Sequence, residues 1–416
     1  MACAAGRIVE VGPAASLAGR FPDAPSTDLG DAVLVPGLVD AHCHLEWSLM
    51  DRVLPPEGFA PWLARMLELR GRMAPDDHRA AARYGALRAL RAGTTTLADS
   101  GPTGAGAAAM SETGMRGAVH LEAFGTPDGP EARRAAAAVA ERVAALDEDA
   151  APGIRVGVSP HAPYSVGPAL WRALAGEAGL SERPWATHLA ESEAEARVVA
   201  RGDGPLAEVF AHAGFAPGRW EGRDGETTVG RVARGGALRP GLVAAHCVRL
   251  GAGDAAALSG AGVSAAHCPR SNEHLRVGRA PLGALREAGV RVGLGTDSPA
   301  SGGDYDVRAE ARACGAADRN GSPDWPALLR LATLGGAEAL GLEGEVGSLA
   351  PGTRADLVAL RPSGAVGDPH RAALDAATRV DVVVCGGEPV VSAGRPSLID
   401  AERIDARANE SRERLW

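Results

Sequence analysis

Eight short apolar segments alternate with helix-like segments along most of this chain. They read AVLVPGLVDAH, TTTLADS, GAVHLEA, IRVGVSPH, WATHLAE, LVAAHC, VSAAHCP and RVGLGTDS. Between them lie amphipathic segments such as DDHRAAARYGALRALRAG, which starts with Asp and has Gly just past its end, as helices commonly do. Strands that alternate with helices favour a parallel sheet, and eight such units close into a barrel. The sequence therefore predicts an α/β fold built on a TIM-type (β/α)8 barrel.

The two ends of the chain carry a different pattern. GRIVEVG near the start, and GSLAPGTRADLVALRP and RVDVVVCGGEPVVSAGR near the end, are strand-like segments separated by Gly and Pro. We expect them to pair as a small β-sandwich made of residues 1–33 and 345–416, beside a barrel of residues 34–344. The barrel contains an insert at 202–240, an unusually long connection between its fifth and sixth strands, and such connections are often functional.

Composition narrows the range of functions. The chain has 416 residues and a net charge of −9 without a basic block, so we expect no nucleic-acid partner. Six cysteines without a CxxC pair fit reduced thiols, and no segment resembles a membrane span or a secretory leader. We therefore expect a cytoplasmic protein without a membrane partner, acting on a small molecule. The sequence leaves the oligomeric state open, with a homodimer among the assemblies that it allows.

The chain contains no lysine, because all 43 basic residues are arginine. This excludes mechanisms that need a lysine amine, such as a Schiff base, a phosphate-binding loop with its lysine, or a carbamate that bridges two metal ions. A coding bias toward Arg and Ala is enough to explain the composition, and the chemical exclusion holds in either case.

Histidines and one aspartate stand at the ends of several predicted strands. His42 and His44 are two residues apart, so in a strand both side chains face the barrel mouth. Four other predicted strands end in further candidates: His161, His188, His246 and Asp297. A lone histidine at a strand end is more often an ordinary polar residue than a ligand. Several at the C-terminal rim of one barrel, where barrel enzymes have their active sites, predict a functional site.

Four of these residues suit a metal ion. Three neutral imidazoles and one carboxylate fit Zn²⁺ or Fe²⁺, whereas Mg²⁺ and Ca²⁺ prefer oxygen ligands; the four residues are His42, His44, His188 and Asp297. The missing lysine favours one divalent ion over a bridged pair. Glu191 follows His188 by three residues, where the strand turns into a helix. It is either a solvated acid of the helix start or the proton shuttle that a metal-activated water needs.

Six motifs in matching order resemble the amidohydrolase superfamily. They are PGLVDAHCHLE, SPHAPYSV, THLAESEAE, AAHC, CPRSN and GTDS. They are most similar to its mononuclear aminohydrolases, the branch that contains S-adenosylhomocysteine, guanine and chlorotriazine-type enzymes. The closing segment GEVGSLAPGTRADLVAL resembles the one with which that branch returns to its β-sandwich. The likeness covers nearly the whole chain, and the shared order of six motifs makes it specific.

The resemblance implies roles for individual residues. It implies a metal ion held by His42, His44, His188 and Asp297. It also implies that Glu191 carries protons, that His246 positions or polarises the attacking water, and that Asp297 takes part in the proton transfer. His161 matches a position that usually touches the substrate.

The resemblance also implies a substrate. HCHLEWS together with SPHAPYSV and CPRSN is most similar to enzymes that deaminate aminodeoxyfutalosine, an adenine-bearing intermediate of menaquinone biosynthesis. The expected reaction is attack of metal-bound hydroxide on the carbon that carries the amino group, with release of ammonia. Deamination of S-adenosylhomocysteine, adenosine or guanine, hydrolysis of a chlorotriazine or cyclic amide, and a catalytically silent scaffold are the alternatives. A silent relative would be expected to lack ligands, and this chain lacks none.

Other substrate contacts are expected around the motifs. Glu46 and Trp47 directly follow the histidine pair, and they could offer a carboxylate to ring nitrogens and a face for stacking, although a Trp beside a barrel is more often packing. Arg270 in CPRSN could pair with a carboxylate at the far end of the substrate, although it could equally be a surface residue. Ser298 in GTDS is a further expected contact. Two arginines compete with Arg270: Arg249 and Arg276.

Overall fold

The computed structural model describes residues 1–51, 53–54, 56–212, 222–316 and 324–416. The described strands are, in chain order, β1 Ala2–Ala4, β2 Arg7–Glu10, β3 Val33–Pro36, β4 Leu38–Cys43, β5 Thr94–Gly101, β6 Arg116–Ala123, β7 Ile154–Pro160, β8 Trp185–Leu189, β9 Leu242–His246, β10 Ser264–His267, β11 Val292–Leu294, β12 Leu357–Arg361, β13 Arg379–Cys385, β14 Glu388–Ser392 and β15 Arg395–Pro396.

Strands β4 to β11 form the central barrel. They lie in one parallel sheet in which each strand is hydrogen-bonded to the next strand along the chain. Cys43 at the end of β4 also bridges in parallel to Asp297, just past β11, so the first and last strands meet. The prediction of a (β/α)8 barrel is confirmed. Since all strands run the same way, their C-terminal ends share one rim, and this rim positions the site.

Helices cover the outside of the barrel. Their bounds are α1 Ala14–Arg20, α2 Phe59–Arg70, α3 Pro75–Arg91, α4 Gly106–Thr113, α5 Gly129–Glu148, α6 Pro168–Ala175, α7 Glu193–Arg201, α8 Pro205–His212, α9 Thr228–Arg234, α10 Asp254–Gly260, α11 Pro269–His274, α12 Leu282–Glu287, α13 Val307–Ala316, α14 Trp325–Leu331, α15 Leu334–Ala339, α16 Pro369–Leu374 and α17 Ala401–Leu415, with 3-10 turns at Leu45–Met50 and Ala178–Leu180. Within the described ranges, no helix combines the length and the apolar character that crossing a bilayer requires.

One predicted strand is two strands. AVLVPGLVDAH was expected to form a single barrel strand, but β3 pairs antiparallel with β12 and only β4 belongs to the barrel. The chain passes from one sheet to the other at Pro36 and Gly37. A Cβ on Gly37 would lie 2.0 Å from Thr95 Oγ1, so the close approach to the neighbouring strand requires glycine. The apolar run is continuous across this switch, which is why it reads as one strand.

A second, antiparallel sheet lies beside the barrel, as the predicted fold class requires. Its order is β15-β14-β13-β12-β3, and β1 and β2 form a separate hairpin. The hairpin is tied to the C-terminal part by a bridge from Arg7 to Arg354. The division into domains at residues 33/34 and 344/345 stays a prediction. Helix α17, at the end of the chain, contacts α3 and the 3-10 turn after β4, and Trp416 Nε1 donates to the Leu49 carbonyl at 3.1 Å.

The predicted insert at 202–240 is described in part. It contains α8 and α9, and residues 213–221 lie outside the described residues. Helix α8 contacts α2, the helix that follows the 3-10 turn. The insert therefore lies against the segment that leads away from the histidine pair.

Close strand packing yields one stability prediction. Gly117 in β6 has a φ of +132°, and a Cβ there would lie 1.9 Å from the Leu97 carbonyl oxygen in β5. We expect Gly117→Ala to lower the free energy of unfolding by about 1–3 kcal/mol, because the overlap moves two paired strands apart. In Gly283→Ala, the matched control in α12, the new Cβ meets no heavy atom within 4 Å, so stability should stay or rise by about 0.5–1 kcal/mol. Urea unfolding measures both, and equal midpoints for the two variants would contradict the packing argument.

Candidate active site

Four polar side chains, carried at the ends of three strands, meet at the C-terminal rim of the barrel. The ligand atoms of these buried residues all lie within 4.8 Å of one another: His42, His44, His188 and Asp297. Barrel closure joins the ends of β4 and β11, since the Asp297 N–H donates to the His42 carbonyl and the His44 N–H donates to the Asp297 carbonyl, both at 3.0 Å. The structure thus brings together the set that the sequence pointed to. We call it the His3Asp cluster.

Hydrogen bonds fix which nitrogen of two rings is free. His44 Nδ1 lies 2.7 Å from the Ser100 carbonyl oxygen, and His188 Nδ1 lies 2.8 Å from the His161 carbonyl oxygen. A carbonyl oxygen only accepts, so both Nδ1 atoms carry hydrogen. The two Nε2 atoms face each other at 3.0 Å, and in neutral rings both present lone pairs across that distance. A cation shared by the two nitrogens satisfies this arrangement.

The protonation states of the cluster also suit a metal ion. Burial lowers the pKa of His42 well below its usual value, and burial with the nearby His44 lowers the pKa of His188 to about 3. Burial raises the pKa of Asp297, but the nearby histidines and the hydrogen bond from Ser271 together hold this pKa below its usual value. Neutral imidazoles and an ionised carboxylate are the forms that bind Zn²⁺. The residues present therefore fit one divalent ion.

The carboxylate of Asp297 is held in a fixed orientation. Its Oδ2 accepts hydrogen bonds from Ser271 Oγ at 2.5 Å and Ser301 Oγ at 2.7 Å. Its Oδ1 faces the histidines instead, 3.4 Å from His44 Nε2. The backbone of Asp297 has a φ of +56°, a conformation that is unfavourable for an aspartate and that clusters at functional sites. Oδ2 is thus fixed by two hydrogen bonds, whereas Oδ1 is available to a ligand or a proton at the cluster.

Glu191 and His246 lie beside the His3Asp cluster. Glu191 Oε1 is 3.6 Å from His246 Nε2. His246 Nδ1 is 2.9 Å from Asn272 Oδ1, so Nδ1 carries hydrogen and Nε2 is the free nitrogen of the neutral ring. Burial raises the pKa of Glu191 well above its usual value, and the charges of Asp297 and Glu195 add to the effect. A carboxyl group that holds its proton therefore lies next to an imidazole nitrogen that can accept one.

The turn after β8 places Glu191 in this position. Ala190 has a φ of +53°, and the carboxylate of Glu195 accepts hydrogen bonds from the backbone N–H groups of Ala190 at 3.0 Å and Glu191 at 2.6 Å. Ser192 then caps α7 by accepting from the Glu195 N–H. The two acidic residues near the start of α7 thus have different roles. Glu195 stabilises the backbone of the turn, and Glu191 lines the site.

A cavity of about 270 Å³ opens onto the cluster. This volume is close to the lower end of the range for small-molecule pockets. Apart from the polar groups, its described lining is aromatic or aliphatic: Trp47, Phe59, Trp62, Leu63, Met66, Leu67, Phe124, Tyr164, Phe210 and Leu275. Helix α2 supplies one face, and Phe210 comes from α8 in the predicted insert. The cavity therefore suits a flat, partly apolar molecule with a polar reacting end.

Three of the predicted substrate contacts line this cavity. They are Trp47, His161 and Ser298. His161 is held by a 2.7 Å contact between Nδ1 and Ser165 Oγ, which leaves Nε2 toward Glu122 at 4.0 Å.

Glu46 does not line the cavity, and its role as a substrate contact stays a prediction. Its carboxylate accepts from the backbone N–H groups of Thr103 at 3.1 Å and Gly104 at 3.0 Å. It also lies 2.9 Å from His78 Nδ1. Its two oxygens are occupied by the protein, so Glu46 holds the loop after β5 in place.

Arg270 is a second predicted substrate contact that does not line the cavity. Its guanidinium lies 2.5 Å from Asp304 and 3.5 Å from the buried Glu310, outside the cavity lining. The Arg270 backbone N–H also donates to Glu310 Oε2 at 3.0 Å, so Glu310 contacts both the main chain and the side chain of Arg270. The competitors Arg249 and Arg276 also lie outside the lining.

Two charged residues of the cavity were not predicted from the sequence. Glu122 lies near the end of β6 and Arg70 is the last residue of α2. Glu122 could have been predicted, because it lies near the end of a strand, and polar residues at strand ends were the reason for selecting the histidines. Arg70 carried no such signal, because the apolar stripe of α2 looks the same whether a helix covers a core or a cavity.

Comparison with known proteins decides the family. The sequence model of the protein family described as "Amidohydrolase family" matches residues 33–390 of this chain. The chain belongs to the amidohydrolase family. The resemblance carried by the six motifs is therefore confirmed, and with it the prediction of a hydrolase.

Several known proteins are similar to this chain over nearly its whole length. A 5-methylthioadenosine/S-adenosylhomocysteine deaminase of Pelotomaculum thermopropionicum is 32% identical, and the match covers 100% of this chain and 93% of the relative. An adenosine deaminase structure from Xanthomonas campestris with bound zinc has a TM-score of 0.81 at 27% identity, covering 99% of this chain and 92% of that one. Atrazine chlorohydrolase from Arthrobacter aurescens, complexed with zinc, has a TM-score of 0.78 at 25% identity, covering 98% and 94%.

Proposed function

We propose that this enzyme hydrolytically deaminates adenine nucleosides that carry a substituent on the 5′ side of the ribose. The observation that carries the proposal is the His3Asp cluster next to Glu191 and His246, at the polar end of an aromatic cavity. The deaminase relative supports the choice of reaction. Our first candidate substrate is 6-amino-6-deoxyfutalosine, because the motifs HCHLEWS, SPHAPYSV and CPRSN are most similar to those of enzymes that deaminate it. 5′-Methylthioadenosine and S-adenosylhomocysteine are the second candidates, because the similar deaminase of Pelotomaculum thermopropionicum is named for them.

We propose that the His3Asp cluster holds one divalent ion, zinc first and iron as the alternative. The zinc in two similar structures and the facing lone pairs of His44 and His188 support this choice. When bound, such an ion lowers the pKa of water from 15.7 toward about 7 and stabilises developing negative charge.

The protein's own groups account for the movement of protons. Asp297 Oδ1 and His246 Nε2 orient the attacking water and accept its proton, because both are unprotonated and face the cluster. The water oxygen bonds to the ring carbon that carries the amino group. Glu191 donates its proton to the adjacent ring nitrogen. The proton taken from the water then passes from Asp297 to the amino group, which leaves as ammonia as the carbon–nitrogen bond breaks, and the hydroxyl proton left on the ring carbon's oxygen returns to Glu191. The products are the keto purine and ammonia.

The cavity lining accounts for binding of the base. The aromatic side chains of the lining offer faces for stacking. Within the part of the chain that the structure describes, Glu122 Oε1 is buried without a hydrogen-bond partner. It is thus an open acceptor for an N–H or O–H group of the nucleoside.

A substrate panel tests the proposed function. Ammonia release is measured with zinc-loaded enzyme on adenosine, 5′-methylthioadenosine, S-adenosylhomocysteine, 6-amino-6-deoxyfutalosine and guanine. We expect a kcat/KM for the best 5′-substituted adenine nucleoside that exceeds that for guanine by about 10²-fold or more. Chloride release from a chlorotriazine without ammonia from any nucleoside would instead favour the chlorohydrolase alternative. A metal-loaded protein that turns over none of these compounds would favour the silent scaffold.

A further inference from the structure

Arg70 occupies an unusual position at the wall of the cavity. Its guanidinium carbon lies 4.9 Å from the ring centroid of Phe124 and 5.7 Å from that of Trp47. Cation–π contacts with two aromatic faces hold this partly exposed side chain against the cavity wall. The guanidinium is therefore a fixed positive charge in a mostly apolar wall.

The guanidinium of Arg70 forms no ion pair with the residues that the structure describes. Two other arginines near the end of α2, Arg65 and Arg72, both pair with Glu68. Among the described residues no carboxylate lies within the 4.0 Å ion-pair distance of Arg70. Glu122 lines the same cavity, and the Arg70 charge lowers its pKa against the larger effect of burial, but Glu122 lies nearer to His44, at 3.8 Å. A guanidinium without an ion pair in a mostly apolar wall attracts an anionic group of a ligand.

Arg70 lies away from the reacting end of the cavity. A row of contacts leads to it from the His3Asp cluster: the rings of His188 and His161 are 4.6 Å apart, the rings of His161 and Phe124 are 4.6 Å apart, and Phe124 then contacts Arg70. Arg70 is the single arginine in the described lining, and the acids of the lining lie beside the cluster. An anionic group of a ligand is thus attracted to the guanidinium of Arg70.

We infer that Arg70 forms an anion-binding subsite that selects adenine nucleosides whose 5′ arm ends in a carboxylate, with the arm packed against Phe124 and Trp47. The inference rests on the proposed function and names the substrate class of the same site. A planar guanidinium can bind both oxygens of a carboxylate, which gives it directional selectivity.

Substrates with and without a carboxylate test the subsite. S-Adenosylhomocysteine and 6-amino-6-deoxyfutalosine end in a carboxylate-bearing arm, whereas 5′-methylthioadenosine does not. We expect Arg70→Gln to lower kcat/KM for the better carboxylate substrate by about 30- to 300-fold, mainly through KM, and to leave the value for 5′-methylthioadenosine within about threefold. Arg70→Lys should restore part of the loss, because it keeps the charge without the planar fork. Arg65→Gln, on the same helix but exposed, is the matched control and should change neither value.

Two kinetic results would overturn the subsite. One is an equal loss for all substrates, which indicates a structural role for Arg70. The other is an unchanged kcat/KM for both carboxylate substrates in Arg70→Gln.

A binding measurement separates this inference from the proposed function. Quenching of tryptophan fluorescence by benzoate needs no turnover, and we expect saturable quenching in the wild type and in Arg65→Gln but not in Arg70→Gln. Saturation that is the same in the wild type and Arg70→Gln would overturn the anion site. Benzoate binding that depends on Arg70, in a protein that deaminates no nucleoside, would support the anion site while overturning the proposed reaction.

Discussion

A Glu191→Gln protein is expected to keep its metal ion and to lose most of its deaminase activity. The amide has nearly the same shape as the carboxyl group but cannot donate and recover a proton. General acid–base catalysis contributes about 10²- to 10⁴-fold to such reactions, so kcat should fall by that factor. Steady-state kinetics on the best nucleoside measures the loss, and elemental analysis of the same sample measures the metal content.

The matched control for this variant is Glu193→Gln, two residues along the same acidic helix start. Glu191 is only 3% exposed and lies beside His246, whereas Glu193 is exposed at the first turn of α7. The control should deaminate within about twofold of the wild type, because surface substitutions change little. Full-speed turnover by Glu191→Gln would remove the proton-transfer role assigned to Glu191.

The barrel and the His3Asp cluster could be predicted because both follow from strand geometry. Residues two apart in β4 face the same side, and parallel strands end at one rim, so His42, His44 and Asp297 had to converge if the barrel closed. The split between β3 and β4 could not be predicted in the same way. The apolar residues continue without a break through Pro36 and Gly37, and only contact with Thr95 shows where the chain changes sheets.

The substrate contacts were less predictable because they do not lie on strands. Residues Leu45–Met50 form a 3-10 turn, in which consecutive side chains point about 120° apart. Trp47 therefore faces the cavity while Glu46, its neighbour, faces Thr103. Arg270 is in a recognisable motif, yet the buried Glu310 binds it. We have proposed Arg70 for the carboxylate binding that was expected of Arg270. The sequence did not distinguish Arg70 from other arginines on helix surfaces.

A His42→Ala protein is expected to fail at an earlier step than Glu191→Gln, because it should lose the metal ion itself. The His42 Nε2 atom is buried and has no hydrogen-bond partner among the residues that the structure describes, so a ligand role accounts for it. We expect metal content to fall from about one equivalent to near zero. Activity should fall by about 10³-fold or more, which corresponds to the several kcal/mol that a bound Lewis acid supplies.

Exposed His370 in α16 provides the matched control for the loss of an imidazole. His370→Ala should retain both metal and activity, and circular dichroism on both variants shows whether the fold persists. A folded His42→Ala protein with a full equivalent of metal and wild-type turnover would contradict the ligand assignment. Since Glu191→Gln should lose rate with its metal in place, metal content distinguishes the two residues. A protein in which both variants lost the metal equally would assign Glu191 to the metal site instead of to proton transfer.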